Sequence, residues 1–415
     1  MKNLNLHDIL HEGLTDIFHV WGMEMRNVFR DAGVLIFFIL VPLGYPLVYA
    51  FIYTNETVRE VPVVAVDESH SSTSREFLRR VDGSADVHIV AQAADVEEAK
   101  SIMREKGAYG TIYIPSEFNE RLTHGEQATA SIYCDMSGLL YYKALLSTCT
   151  EVSLDMNREI QITRLGGVSP RESEVSTRPI DYEYVTLFNP QNGFASFLIP
   201  AVLMLIIQQT LLLGVGLSVG TQREENRFLE LVSIDKHHHG TLRIVTGKAL
   251  AYLMIYMLMG TYIACVVPHL FSLVQLADAE TLSTFMLPYL LACIFFAMTL
   301  SAVARNRETC MLLFVFTSLP LLFISGISWP GASIPTFWKT FSWLFPSTFG
   351  INGFVHINTM GATLADVSTE ICALWIQAGV YFITTCIVYR WQIVRSLKVA
   401  DKQLKASAKT RPSRP

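Results

Sequence analysis

Four groups of residues in this 415-residue chain combine types and spacings from which chemistry is built. Gly247-Lys248 looks like the end of a phosphate-binding loop, in which backbone N–H groups cradle phosphates and a lysine reaches the outer ones. It lacks the upstream glycine and the following Ser or Thr, so nucleotide chemistry is not expected here. Asp67, Glu68, Ser69 and His70 bring carboxylate, hydroxyl and imidazole together. They close a short apolar run, which favours a strand-end turn over a metal or hydrolase site. His237-His238-His239 offers three imidazoles, but consecutive residues point in different directions on any regular element, so a solvated loop is favoured over a metal site. Cys134 and Cys149 lie in one polar region, where an oxidising compartment would permit a bridge between them; two independent buried thiols are the other reading. No catalytic residue, metal ligand or cofactor-binding residue is expected in this chain.

The elements that must carry these residues are mostly apolar. Six stretches contain no Asp, Glu, Lys or Arg: Ala32–Asn55, Gln191–Gln222, Ala249–Ala277, Thr281–Ala304, Thr309–Trp338 and Ile371–Tyr389. Roughly 20 apolar helical residues cover the ~30 Å hydrocarbon core of a bilayer. The spacing predicts one span, a long polar region, then five spans in succession. The fold class expected is an α-helical polytopic membrane protein with six transmembrane helices and a small α/β extracytoplasmic domain between the first two. The first span reads as a retained anchor, because the residues before it are too many and too polar for a signal-peptide n-region. With no ionisable group inside any span, coupling through intramembrane carboxylates is not expected.

Lys and Arg in the flanks set the orientation. Arg26 and Arg30 precede the first span; Arg223, Arg227, Lys236, Arg243 and Lys248 lie between the second and third; Arg305 and Arg307 lie between the fourth and fifth; a basic run from Arg390 to Arg414 follows the last. The alternate loops are nearly bare. Both termini are therefore expected in the cytoplasm and the region 56–190 outside. That region is acidic, with 22 Asp plus Glu against 13 Lys plus Arg, but long domains cross regardless of charge. Its apolar runs Val61–Val66, Val87–Val90, Tyr109–Ile114 and Ala128–Cys134 alternate with helical patterns, which implies an α/β unit.

Residues 1–31 form a helix with a stripe that includes Leu10, Leu14, Ile17, Phe18, Trp21, Met25, Val28 and Phe29. Asp8, Glu12, Asp16 and Glu24 occupy the opposite face. The helix could lie in the membrane interface or dock along the bundle. In the loop 221–248, Arg223, Glu224, Glu225, Arg227 and Glu230 interleave with Phe228, Leu229, Leu231 and Val232, as in a short amphipathic helix with charged ends suited to a groove on a soluble partner. Between the fifth and sixth spans, Gly326, Pro330, Pro335 and Pro346 would break a plain helix. The segment 328–350 is read as an external re-entrant hairpin, with Trp338 and Trp343 at the interface.

These patterns together resemble type-2 permeases of the ATP-binding cassette transporters, in the branch with a large external domain after the first span. Ser325–Pro330, Pro335 and Phe345-Pro346-Ser347-Thr348 look like that family's signature before its last span. Arg223-Glu224-Glu225, Leu229-Glu230-Leu231 and Gly247-Lys248 resemble its cytoplasmic loop, although Arg227-Phe228 stands where the family often has Gly-Thr. Val66-Asp67, Ser74-Arg75, Ile114-Pro115 and Phe118 look like its external domain. The resemblance implies a permease subunit of an exporter of amphiphiles, drugs or lipid-like substrates in a bacterial inner membrane. It also implies cytoplasmic ATPase subunits that bind the ATP and Mg, a second permease copy or paralogue, and room for a periplasmic adaptor; nucleic acid has no role. By the same resemblance, 1–31 is a connecting helix with Leu14, Phe18, Trp21 and Met25 against the ATPase. Arg223, Glu224, Glu225, Phe228, Leu229, Glu230 and Leu231 would be the coupling segment, 191–398 the five-helix bundle and 399–415 a basic tail. The alternative is a membrane-anchored receptor or assembly scaffold whose external domain binds a partner.

Overall fold

The computed structural model describes residues 6–165, 185–189, 193–235, 240–301 and 307–410. The chain divides into two units: Met1–Thr54 with Leu187–Pro415, and Asn55–Thr186.

The second unit is an α/β domain. Strands β1 (Val61–Asp67), β2 (Val87–Ala93), β3 (Gly110–Ile114) and β4 (Ser131–Cys134) lie in the order β2-β1-β3-β4. β1 pairs in parallel with β2 and β3, and β4 is antiparallel to β3. β1 reads as a continuous apolar run because both of its faces are covered. Val63 and Ala65 pack with Phe77, Leu78 and Ile112, while Val64 and Val66 pack with Ala99 and Ala108. The first helix of this unit (Ser72–Asp82) is held by a reciprocal cap between Ser71 and Ser74. Asp95 caps the second (Val96–Lys106) by accepting from Glu98 N at 2.7 Å. The next helix (Phe118–His124) starts a turn later than Pro115, and a long one, Leu139–Leu165, closes the unit. Asp67 Oδ1 accepts from the backbone N of Ser69 and His70, and its Oδ2 from Ser74 Oγ, so the acidic-serine-histidine cluster is a strand-end turn. Cys134 on β4 and Cys149 on Leu139–Leu165 share one core cluster, both as free thiols.

The first unit is helical. It begins with the N-terminal helix αN (Leu6–Arg30). Among the described residues, five helices are long and apolar enough to cross a membrane: αA (Ala32–Ile52), αB (Phe194–Glu224), αC (Gly240–Leu270), αD (Ala279–Leu300) and the Ser368–Lys398 part of αH (Ser368–Thr410). αB is apolar on every side and is the central helix, as such a pattern requires.

The charge-free run Thr309–Trp338 is not one helix. αE (Arg307–Ile324) stops before Gly326, which takes a left-handed φ of 91° open to glycine at no steric cost. Pro330 and Pro335, which lack backbone donors, then precede the short helices Gly331–Ser333 and αF (Thr336–Ser342). αG (Pro346–Met360) follows, with Pro346 in its first turn. αF exposes Phe337 and Trp338. αG instead buries Ile351, Phe354 and Ile357 in the bundle core. It packs closely on αD because Gly350 and Gly353 have no Cβ where the rings of Tyr289 and Phe285 lie.

Candidate functional site

Of the two placements expected, in the membrane interface or along the bundle, the N-terminal helix packs along the spans, and it turns part of its acidic face toward them. Val20, Glu24 and Val28 lie on one face at steps of four residues and are all fully buried. Of the expected stripe, Leu14, Phe18 and Phe29 are exposed, Ile17, Trp21 and Met25 are half-buried, and Val28 is buried. The physical reason is that αC offers cations to the acidic face. Arg243 Nη1 meets Asp16 Oδ2 at 2.6 Å and Glu12 Oε2 at 3.9 Å. Gly247 lets the two helices touch, since a Cβ there would stand 2.7 Å from Ile17 O.

One turn further along lies a dense buried polar cluster. Lys248 Nζ donates to Glu24 Oε2 at 2.7 Å and to Gln222 Oε1 at 2.6 Å. Gln222 Nε2 donates to Glu24 Oε2 at 3.0 Å, Ser218 Oγ donates to Glu24 Oε1 at 3.0 Å, and Tyr252 OH donates to the same oxygen. Glu24 and Lys248 are both fully buried. Burial alone would raise the Glu24 carboxyl; the Lys248 ammonium and the surrounding donors outweigh it and hold the carboxyl below its ordinary range. The pair is tolerated because each partner compensates the other's lost hydration. It joins αN, αB and αC.

The cluster also reaches the segment expected to couple. Lys248 Nζ lies 5.6 Å from the centre of the Tyr389 ring on αH, and Phe228 packs edge-on against that ring at 6.1 Å. Phe228 belongs to a 3-10 turn, Arg227–Leu231, rather than to the amphipathic α-helix expected. That turn begins after Asn226, which takes a left-handed φ of 55°. Phe228 and Leu231 are buried within the chain, and Leu229 is half-buried. Glu224, Glu225 and Glu230 face outward. Arg223 donates to Ser301 O at 3.2 Å, and Arg227 pairs with Glu225 and donates to Asn27 Oδ1. A second charged knot lies at the start of αA. Asp31 caps αA, accepts from Arg307 Nη2 at 2.7 Å and from Thr221 Oγ1 at 3.0 Å. Glu224 Oε1 accepts from Arg307 N at 3.1 Å.

The structure therefore links Phe228 to the N-terminal helix by way of Tyr389 and Lys248, and Arg227 to it directly at Asn27, and leaves Leu14, Phe18 and Glu230 exposed with Leu229 half-buried. Gly326, Pro330, Pro335 and Pro346 form a separate group at the breaks described above. His237–His239 lie outside the described residues. Among the described residues no cluster of His, Cys, Asp and Glu is arranged to hold a metal ion. Sequence reasoning missed Glu24 and Lys248 as partners, having assigned one to a polar face and the other to a loop. The available signal was the Val20-Glu24-Val28 spacing, a carboxylate set in an apolar line.

A family model described as ABC-2 family transporter protein matches residues 32–387. Two relatives are named Probable multidrug ABC transporter permease YbhR, one from Escherichia coli (strain K12) and one from Escherichia coli O157:H7. Each is 22% identical over 370 residues, covering 86% of this chain and 94% of the relative.

Proposed function

Since this chain belongs to the ABC-2 family of transporter proteins, we propose that it is the permease subunit of an ATP-driven exporter whose substrate is an amphiphile, drug or lipid-like molecule. The observation that carries this reading is the family match across residues 32–387, which, among the described residues, covers four long apolar helices in full and most of the apolar part of the fifth. The relatives named as multidrug permeases support the substrate class. Membership of the family implies a cytoplasmic ATPase partner in general, with ATP hydrolysis in that partner. Here both termini face the cytoplasm, the Asn55–Thr186 domain faces the periplasm, and two permease copies build the pathway.

Energy enters through the outward edge of the Glu224–Leu231 segment and the exposed stripe of αN. Docking of the ATPase against Glu224, Glu225, Leu229 and Glu230 would press on Phe228 and Leu231. The Tyr389 ring and the Lys248–Glu24 pair would carry that displacement to αH, αC, αB and αN at once. Rigid packing supports this, because interfaces shift between discrete arrangements rather than deforming smoothly.

The test uses two neighbouring leucines. Leu229→Asp puts a carboxylate on the outward edge, whereas Leu231→Asp buries one inside the chain, where an unpaired charge is costly. Leu229→Asp is expected to leave the melting temperature within a few degrees of wild type and to weaken co-purification of the ATPase by about tenfold or more, equivalent to ~1.4 kcal/mol. Leu231→Asp should lower stability first. Wild-type ATPase binding and wild-type export with Leu229→Asp would place the docking surface elsewhere.

A further inference from the structure

The turn between β4 and the helix Leu139–Leu165 displays a run of apolar side chains. Met136, Leu139 and Leu140 are 64%, 69% and 41% exposed. From Met136 to Tyr142 the sequence Met-Ser-Gly-Leu-Leu-Tyr-Tyr carries no charge, in a region with 22 acidic and 13 basic residues. Local bonds fix the turn. Asp135 Oδ1 accepts from Ser137 N at 2.9 Å, and Asp135 N donates to Tyr109 O at 2.8 Å. The Tyr141 ring stacks on Tyr109 with centroids 3.8 Å apart and planes at 13°. Gly138 leaves room for that ring, since a Cβ there would stand 2.4 Å from Tyr141 Cδ2. The turn therefore holds these side chains outward against the cost of wetting them, as contact surfaces do.

Chain connectivity says which partner lies within reach. Tyr109 N donates to Pro62 O at 2.9 Å, so the turn lies at the end of the sheet where β1 begins. Val58, ahead of β1, already packs against the same apolar cluster as Tyr109 and Tyr141. The apolar helix αA ends at Ile52, and Thr54 N still donates back to Phe51 O. Asn55, Glu56 and Thr57 alone separate Thr54 from Val58, a reach of at most ~14 Å. This end of the sheet cannot stray far from the surface at which αA leaves the hydrocarbon.

We propose that Met136, Leu139 and Leu140 insert into the interfacial layer of the bilayer and anchor the α/β unit to it. The partner is a phospholipid surface. Apolar side chains on a fixed turn gain by leaving water for the headgroup–acyl boundary, ~5–10 Å deep. Tyr142, half-buried beside them, has the apolar body and polar tip that suit this level. Lys143 is exposed one turn beyond Leu139 on the same helix face. Its stem can lie along the apolar layer while its ammonium meets a phosphate. The insertion is driven by an uncharged run, so zwitterionic lipid suffices. The leaflet, the outer one, rests on the orientation proposed above; the contact itself does not.

The experiment places one cysteine at Ser137, between the inserting residues, in the full-length chain with its own cysteines replaced by alanine. The cysteine carries an NBD fluorophore, and the chain sits in phosphatidylcholine nanodiscs made with ordinary lipid or with lipid brominated on its acyl chains. Bromine quenches only a fluorophore that reaches the chains, so emission at Ser137 is expected to fall by about half in brominated discs, as interfacial depth requires. The same label at Glu97, exposed on the helix Val96–Lys106, is expected to lose nothing there and to be quenched by aqueous iodide instead. Met136→Asp combined with Leu139→Asp should move the Ser137 label to the iodide-quenched state, because carboxylates resist transfer into lipid. Both side chains are exposed, so the double variant should melt within a few degrees of wild type, which separates lost anchoring from unfolding. Equal emission in both lipids without these substitutions, or bromine quenching that survives them, overturns the proposal. So does efficient disulfide formation between the Ser137 cysteines of two unlabelled copies, which would make the turn a protein seam. No transport or ATP hydrolysis is measured, so the result stands apart from the export reading.

Discussion

Glu24 and Lys248 make the clearest residue-scale experiment. Removing one member of a fully buried ion pair leaves the other charge uncompensated, which costs about 3–5 kcal/mol, whereas replacing both with apolar residues of similar size is often neutral. Glu24→Leu and Lys248→Met alone should each lower the melting temperature strongly, and the double variant should recover most of the loss. Additive losses would contradict a direct pair. The pH dependence has a definite sign. The Glu24 carboxyl is depressed on folding, so the stability it contributes is present above its unfolded value and is lost as pH falls through the lower folded value. The wild-type melting temperature should fall over that acid window more steeply than that of the double variant. Cys149 gives an independent check. Burial, and then the nearby Cys134, push its thiol up to about 12. A maleimide at pH 8 should leave Cys149 unmodified in the folded protein and label it fully after denaturation without reductant; labelling only after reductant would show a bridge to Cys134. None of the pairing at Glu24 was legible from composition. The residue lies 224 positions from Lys248, and a helical wheel gives its face but not whether that face meets water or a cation.

At the scale of elements, the α/β unit was readable because its strands are bounded by turn residues and its first two helices by local caps. Ser71, Asp95 and the apolar run Val61–Val66 act over a few positions and need no distant partner. Two elements resisted reading for the opposite reason. Arg227–Leu231 has the composition of an amphipathic helix, but Phe228 and Leu231 are claimed by Tyr389 and the bundle, which tightens the backbone into a 3-10 turn. The run Thr309–Trp338 has the apolarity of a span, but Gly326, Pro330 and Pro335 divide it. The contact of αN with αC also depends on one small residue. Gly247→Leu would drive a side chain into Ile17 O and Val20 Cβ, which a Cβ alone would approach to 2.7 and 2.8 Å. Overpacking of this kind costs about 1–3 kcal/mol. We expect Gly247→Leu to loosen αN, seen as faster amide exchange across Val20–Val28, while the Asn55–Thr186 unit exchanges as in wild type. Unchanged protection of αN would mean that the helices do not meet at Gly247.

At the scale of the whole molecule, the separation into a helical unit and an α/β unit follows from one fact of composition. The apolar runs have few charges and the region between the first two has many, so the two kinds of segment must seek different solvents. The Lys and Arg distribution gives the expected side of each loop, because basic residues near span ends favour the cytoplasmic side. By this rule Arg223, Arg227 and Arg243 are expected on the same side as Arg26 and Arg30. Arg243 reaches Asp16 and Arg307 reaches Asp31, so the N-terminal helix, the loop after αB and the start of αE share one level. The test is labelling in intact cells with a membrane-impermeant maleimide, on a chain whose own cysteines are replaced by alanine. A cysteine at Glu97, an exposed helix position of the α/β unit, should react from outside. One at Glu230, exposed beside Phe228, should react only after permeabilisation. Reaction of the Glu230 cysteine from outside would reverse the orientation. It would also remove the premise that an ATPase reaches Phe228 from that edge, since ATP is available only in the cytoplasm.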